Sequence, residues 1–99
     1  MKYIITESRI NNLLEKYILE RYPMVRDVVF TTKDVYLASG SKSERRTIQR
    51  NIINIGFKGG EMTHSPTWTS KHIVNGINPM FGLGVGEYGS NWGIEWKMI

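Results

Sequence analysis

Residues 84–89 read Gly-Val-Gly-Glu-Tyr-Gly, the G-x-G-x-x-G spacing with which a backbone turn can cradle a pyrophosphate. Gly82 and Gly93 extend the motif, so five of the ten glycines fall between positions 82 and 93. That chemistry needs a strand before the loop, a helix starting on it, and an acid about 20 residues later. The residues after Gly89 read Ser-Asn-Trp-Gly-Ile-Glu-Trp-Lys-Met-Ile, which offers neither the helix nor the acid. A P-loop would place Lys and Ser/Thr directly after the last glycine, and here no lysine occurs until Lys97. The segment therefore reads as a glycine-rich connection whose residues allow positive φ and close backbone approach, and no cofactor is expected.

Other catalytic chemistry finds little support. The only histidines are His64 and His72. Glu61-x-x-His64 would bring its two side chains together only on a helix, and Pro66 argues against one there. A metal site from Glu61, His64 and His72 is accordingly not expected. The chain has no cysteine, which removes thiolate ligands and nucleophiles together. Glu87 and Glu95 straddle a loop of undefined shape, so no carboxylate pair can be assigned. The expectation is a protein without catalytic residues.

Electrostatics offers more. Lys42, Arg45, Arg46, Arg50 and Lys58 place five cations in 17 residues, with Glu44 the only acid among them. Such a cluster can meet a phosphate backbone, or can form the solvated face of an amphipathic element. Trp68, Trp92 and Trp96 could stack on single-stranded bases, but core or interface positions are the commoner use of tryptophan.

The elements that must carry these residues follow from periodicity. Ile10, Leu13, Leu14, Tyr17 and Ile18 share one helical face, predicting a helix over about Glu7–Tyr22. Thr6 stands at its N-cap, Ile5 and Ile10 make a hydrophobic staple, and Pro23 ends it. Residues 25–31 and 34–38 read as two short strands joined tightly at Thr32-Lys33-Asp34. Gly40-Ser41 breaks the pattern. A second helix is expected over about Ser43–Ile55, capped by Ser41 or Ser43, with Ile48, Ile52 and Ile55 buried and Gly56 ending it. Thr67–Val74 reads as a strand, although Ser65-Pro66 is also a good helix start. Trp92, Ile94, Trp96 and Met98 alternate with Gly93, Glu95 and Lys97, the period of a half-buried strand. The sum is an α+β fold: one two-layer domain over residues 1–99, with two helices packed on an antiparallel sheet.

Composition sets the class. At 99 residues, 40% hydrophobic and with eleven aromatics, the chain can build one core. The net charge of +4 permits nucleic-acid contact without requiring it. The absence of cysteine, of a signal-peptide-like start and of a long apolar run favours a soluble intracellular (cytoplasmic) domain with no membrane contact.

Two resemblances bear on function. Ile55-Gly56-Phe57-Lys58-Gly59-Gly60-Glu61-Met62 resembles the I-G-x-x-G-x-x-I core of KH domains. That resemblance implies a loop at Gly56 and Gly59 clamping a nucleic-acid backbone, with Phe57 and Lys58 facing the phosphates. The family places a helix directly after the loop, and Thr63-His64-Ser65-Pro66 departs from that pattern. The opening Met-Lys-Tyr-Ile-Ile-Thr-Glu-Ser-Arg-Ile resembles the start of small uncharacterised proteins from marine tailed phages and ocean metagenomes. That similarity covers about the first 22 residues and implies a source but no activity.

The sequence thus points to a small non-enzymatic protein acting through protein contacts, as a homo-oligomer or with another protein. Trp92, Ile94, Trp96 and Met98 are its candidate interface. The alternative is a nucleic-acid-binding module using Lys42, Arg45, Arg46, Arg50 and Lys58.

Overall fold

A computed structural model describes residues 7–38, 45–87 and 89–99 of the chain. Ile5, Thr6, Gly40, Ser41, Lys42 and Ser43 lie outside these residues, and with them the proposed caps of both sequence-predicted helices. Among the described residues, two helices and three strands follow in the order α1 (Glu7–Arg21), β1 (Val25–Ala38), β2 (Arg45–Phe57), α2 (Pro66–Phe81) and β3 (Trp92–Met98), with a short 3₁₀ turn at Gly59–Glu61. The fold is α+β, with a mixed sheet in the order β1-β2-β3.

Helix α1 forms where the periodicity places it. Leu14 and Ile18 are fully buried and Ile10 and Tyr17 pack beside them, while Leu13 turns to solvent. Pro23 stands two residues past the last helical residue, where its ring bars further helix.

The sheet departs from expectation in three ways. Residues 25–38 are one strand, not two: Thr32, Lys33 and Asp34 pair in unbroken register with Asn51, Arg50 and Gln49. The expected helix over 43–55 is instead strand β2. Ile48, Ile52 and Ile55 fit a helical stripe, but Ile53, Ile55 and Phe57 fit a strand face equally well. Thr47, Ile48, Ile52, Ile53 and Ile55 are all β-branched, stiff at χ1 and suited to a pleated surface. Short apolar runs are ambiguous between the two periods, and pairing with β1 along the whole of β2 decides the matter. Finally the sheet is mixed rather than antiparallel, because β3 runs parallel to β2, from Asn51↔Trp92 to Phe57↔Met98. A parallel neighbour needs a crossover, and α2 with its flanking loops supplies it.

Residues 66–81 take the helical alternative. The Ser65 hydroxyl accepts from the Trp68 amide at 3.1 Å, and Pro66 occupies the first helical position. The buried hydroxyls of Thr69 and Ser70 donate back to the Ser65 and Pro66 carbonyls at 2.9 and 2.8 Å. These bonds reconcile a threonine- and serine-rich segment with helix geometry. Gly82 closes the helix at φ 66°, its N–H donating to the Asn78 carbonyl.

One buried cluster joins all of these elements. Leu14 and Ile18 come from α1, Val25 and Val28 from β1, and Ile53, Ile55 and Phe57 from β2; Ile73 and Ile77 of α2, Val85 and Trp92 complete it.

Candidate functional site

Strand β3 carries the four residues expected at an interface, and burial falls along it rather than alternating. Trp92 and Gly93 are buried, Ile94 is half-buried, and Glu95 through Met98 are exposed. Trp96 keeps 42% of its surface exposed and Met98 45%. Trp92 therefore belongs to the core, and the apolar surplus is Trp96 with Met98. Trp96 is tilted against Phe57, with ring centroids 6.3 Å apart.

Among the described residues, none pairs with the backbone of β3 on its outer side. Asn51 N–H donates to the Asn91 carbonyl and Ile99 N–H to the Phe57 carbonyl, which sets the phase of the parallel ladder. In that phase Gly93, Glu95 and Lys97 direct their N–H and C=O groups at β2. Ile94, Trp96 and Met98 direct theirs at the outer edge, where no described residue bonds them. Glu95 and Lys97 stand on the opposite sheet face from Trp96. Glu95 Oε1 receives Lys33 Nζ at 3.3 Å across the sheet, both side chains being more than half exposed.

The four described cations of the sequence-level cluster are spread over the molecule. Lys42 lies outside the described residues. Arg45 and Arg46 pair with Ala38 and Leu37, at the far end of the β1–β2 ribbon. Arg50, half-buried, donates from Nε to the Ser90 carbonyl at 2.9 Å and lies over Gly93. Lys58 follows the opposite end of β2, about 40 Å from Arg45 at the usual strand rise.

The KH-like octet is not a helix–loop–helix connection here. Ile55, Gly56 and Phe57 are strand residues at the centre of the sheet, all buried. A Cβ on Gly56 would collide with the Asp27 carboxylate and with Ile99. The implied clamp has no loop to form it, because Gly56 serves the close approach of side chains on the sheet face.

The glycine fingerprint is likewise inverted. A helix precedes it and a strand follows, the reverse of the order a pyrophosphate site needs. Gly82, Gly84, Gly86 and Gly89 all have positive φ, from 62° to 80°. The loop is fixed by polar bonds: Asn78 Nδ2 donates to the Val85 carbonyl at 3.2 Å, and Val85 N–H donates to Asn78 Oδ1 at 2.7 Å. Ser90 Oγ donates to the Leu83 carbonyl and accepts from the Trp92 amide. Beside it lies an open cavity of about 690 Å³, lined by Asn78, Leu83, Glu87, Ser90 and Trp92 among others. The Glu87 carboxylate lies against Gly84, a negative charge where a phosphate loop would offer positive.

The histidines serve the surface of α2. Trp68 and His72 stand one helical turn apart on α2, and His64, just before the helix, packs on Trp68; the ring centroids are 4.1 Å (His64–Trp68) and 5.2 Å (Trp68–His72) apart. Tyr22 meets His72 edge-on, its hydroxyl 3.3 Å from His72 Nδ1. Trp68 is half exposed, with the His64 and His72 rings packed against it. The one-turn spacing of Trp68 and His72 follows from a helix over residues 66–81, the alternative that Ser65-Pro66 offered. Burial raises the pKa of Tyr22 above its ordinary value; Tyr17 adds to the rise and Arg21 opposes it. Among the described residues no group of His, Asp and Glu could hold a metal ion.

The sequence reading missed the ion pair of Glu95 with Lys33. It treated Glu95 as part of the polar half of an alternating strand, and only the sheet order brings Lys33 of β1 across to it. Against known proteins, no family model, no curated protein and no solved structure matches the chain.

Proposed function

We propose that this protein is a non-enzymatic two-layer α+β domain that acts in the cytoplasm through protein contacts at the β3 edge, with a second copy of itself as the partner. The observation that carries this reading is the coincidence of two features on one strand. The N–H and C=O groups of Ile94, Trp96 and Met98 face outward with no described partner, and Trp96 and Met98 leave nearly half their surface in water. Exposed edges template strand addition, and apolar side chains on such an edge make addition favourable. The two-layer arrangement is supported by the single cluster that joins Leu14, Ile18, Ile73 and Ile77 of the helices to the sheet. Among the described residues no helix is long and apolar enough to cross a membrane, in keeping with action away from one. Sedimentation velocity over a concentration series tests the reading: a dimer is expected by high micromolar concentration, shifted to monomer by Trp96→Lys. A wild-type chain that stays monomeric throughout overturns it.

A second reading is favoured by a separate observation. The β1–β2 ribbon continues beyond the start of β3, and Lys33, Arg45, Arg46 and Arg50 are carried on it. A basic two-stranded ribbon can enter a nucleic-acid groove. Binding would then fall steeply with salt and weaken in Arg45→Gln with Arg46→Gln. Absence of binding to single- or double-stranded DNA or RNA at low salt would end this reading.

A further inference from the structure

We propose that two copies of this chain join β3 to β3 in antiparallel register with the two-fold axis at Trp96, giving a continuous sheet in the order β1-β2-β3-β3-β2-β1. The inference rests on the self-association proposed above and adds its geometry.

Backbone phase limits the choices. Only residues whose N–H and C=O face the outer edge can form the hydrogen-bonded pairs of a new antiparallel ladder, and these are Ile94, Trp96 and Met98. Trp92 is already engaged, its carbonyl accepting from Gly86 and its amide donating to Ser90 Oγ. Three symmetric registers bring these residues together, centred on Glu95, Trp96 or Lys97.

Charge decides among them. Centring on Glu95 sets two carboxylates directly opposite, and centring on Lys97 sets two ammonium groups opposite; both arrangements are unfavourable. Centring on Trp96 sets Glu95 of each copy opposite Lys97 of the other. These are non-hydrogen-bonded positions, where side chains approach most closely. On the other face the same register pairs Trp96 with Trp96 and Ile94 with Met98, covering the apolar surplus of β3. It also gives every outward N–H and C=O of Ile94, Trp96 and Met98 a partner. Glu95 can keep Lys33 on Oε1 while its second oxygen meets the incoming Lys97.

Charge exchange tests the register. Glu95→Lys alone and Lys97→Glu alone each put like charges opposite at both symmetric positions, and each is expected to weaken dimerisation by about tenfold or more. Mixed together, the two single variants complement each other and form the heterodimer, seen as the intermediate mass by native mass spectrometry. The double variant E95K/K97E regains wild-type dimerisation. Circular dichroism melts of every variant separate a folding defect from a pairing defect. If wild type dimerises but the single variants do so equally well, or fail to pair when mixed, the Trp96-centred register is wrong while self-association stands. A wild-type monomer at every concentration overturns both.

Discussion

Strand β2 is two strands in one. Over Asn51–Phe57 it has a neighbour on each side, and Ile52, Ile53, Ile55 and Phe57 are all buried. Over Arg45–Arg50 its only neighbour among the described residues is β1; Thr47 and Gln49 are exposed and Ile48 and Arg50 half-buried. The backbone conformation is the same in both halves, so conformation alone cannot explain their difference. Burial on both flanks holds the first half, whereas the second is held mainly by the ladder to β1. Two-stranded ribbons are marginal in water on their own, and this one persists as the extension of a strand already fixed in the core. Arg50 stands at the junction, and its bond to the Ser90 carbonyl ties the ribbon's base to the loop that leads into β3.

The largest expected contrast is in stability. Ile53→Ala empties a fully buried site in the core half and should cost about 2–5 kcal/mol in chemical denaturation. Thr47→Ala, on the exposed ribbon, should stay within about 0.5 kcal/mol. Equal costs would mean that the ribbon is as cooperatively packed as the core. Next in size is Asn78→Ala, which strips both hydrogen bonds from the Val85 backbone and should cost about 1–3 kcal/mol. Because those bonds hold the loop before β3, Asn78→Ala should also loosen β3 while leaving the ribbon untouched. A chemical-shift map with changes in the ribbon and none in β3 would contradict that role.

The same division explains what could be read from sequence. Helix α1 was legible because five apolar residues repeat over three turns, and β3 because its alternation spans seven positions. β2 was not, since its isoleucines satisfy both periods over a short span and the deciding partner, β1, lies outside the window. The error propagated to function: a helix gathers Lys42, Arg46 and Arg50 on one side, but a strand carries Arg45 and Lys58 to opposite ends. For α2 the local chemistry was present in Ser65-Pro66, and the β-branched content of Thr67–Val74 outweighed it. The alternating quartet Trp92, Ile94, Trp96 and Met98 was visible as a pattern, yet only sheet order tells that Trp92 is core and Trp96 edge. Parallel pairing of β3 could not be seen at all, because it depends on the path of the crossover.

Amide exchange should sharpen the comparison residue by residue. In the phase set by Asn51, odd-numbered residues of β2 point their N–H groups toward the β3 side and even-numbered ones toward β1. Ile52 through Phe57 should therefore all be protected. In the ribbon protection should alternate, with Ile48 and Arg50 slow and Thr47 and Gln49 fast. Uniform protection across 47–50 would show that another strand covers that edge, through self-association along the ribbon rather than at β3. Uniformly fast exchange would show that the ribbon opens as a unit. Gln49→Pro, which removes an N–H with no ladder partner, should be tolerated far better than Ile48→Pro.

The smallest effect concerns the far side of the core, where α1 meets α2. Burial keeps the Tyr22 hydroxyl protonated above its ordinary value of 10.0. Below that value the phenol is neutral in both folded and unfolded chains, and stability does not depend on it. Above it the unfolded chain releases the proton while the folded one retains it, so stability falls as pH rises from the ordinary value through the folded one. Tyr22→Phe should therefore cost a little at neutral pH, through the lost contact with His72 Nδ1, and narrow the gap to wild type as pH rises past about 10. The difference between the two unfolding curves isolates this residue, because every other side chain is common to both proteins. A gap that stays constant across that window would mean that Tyr22 is solvated as freely in the fold as out of it. The α1–α2 junction would then be an open contact like the ribbon, not a closed one like the core half of β2.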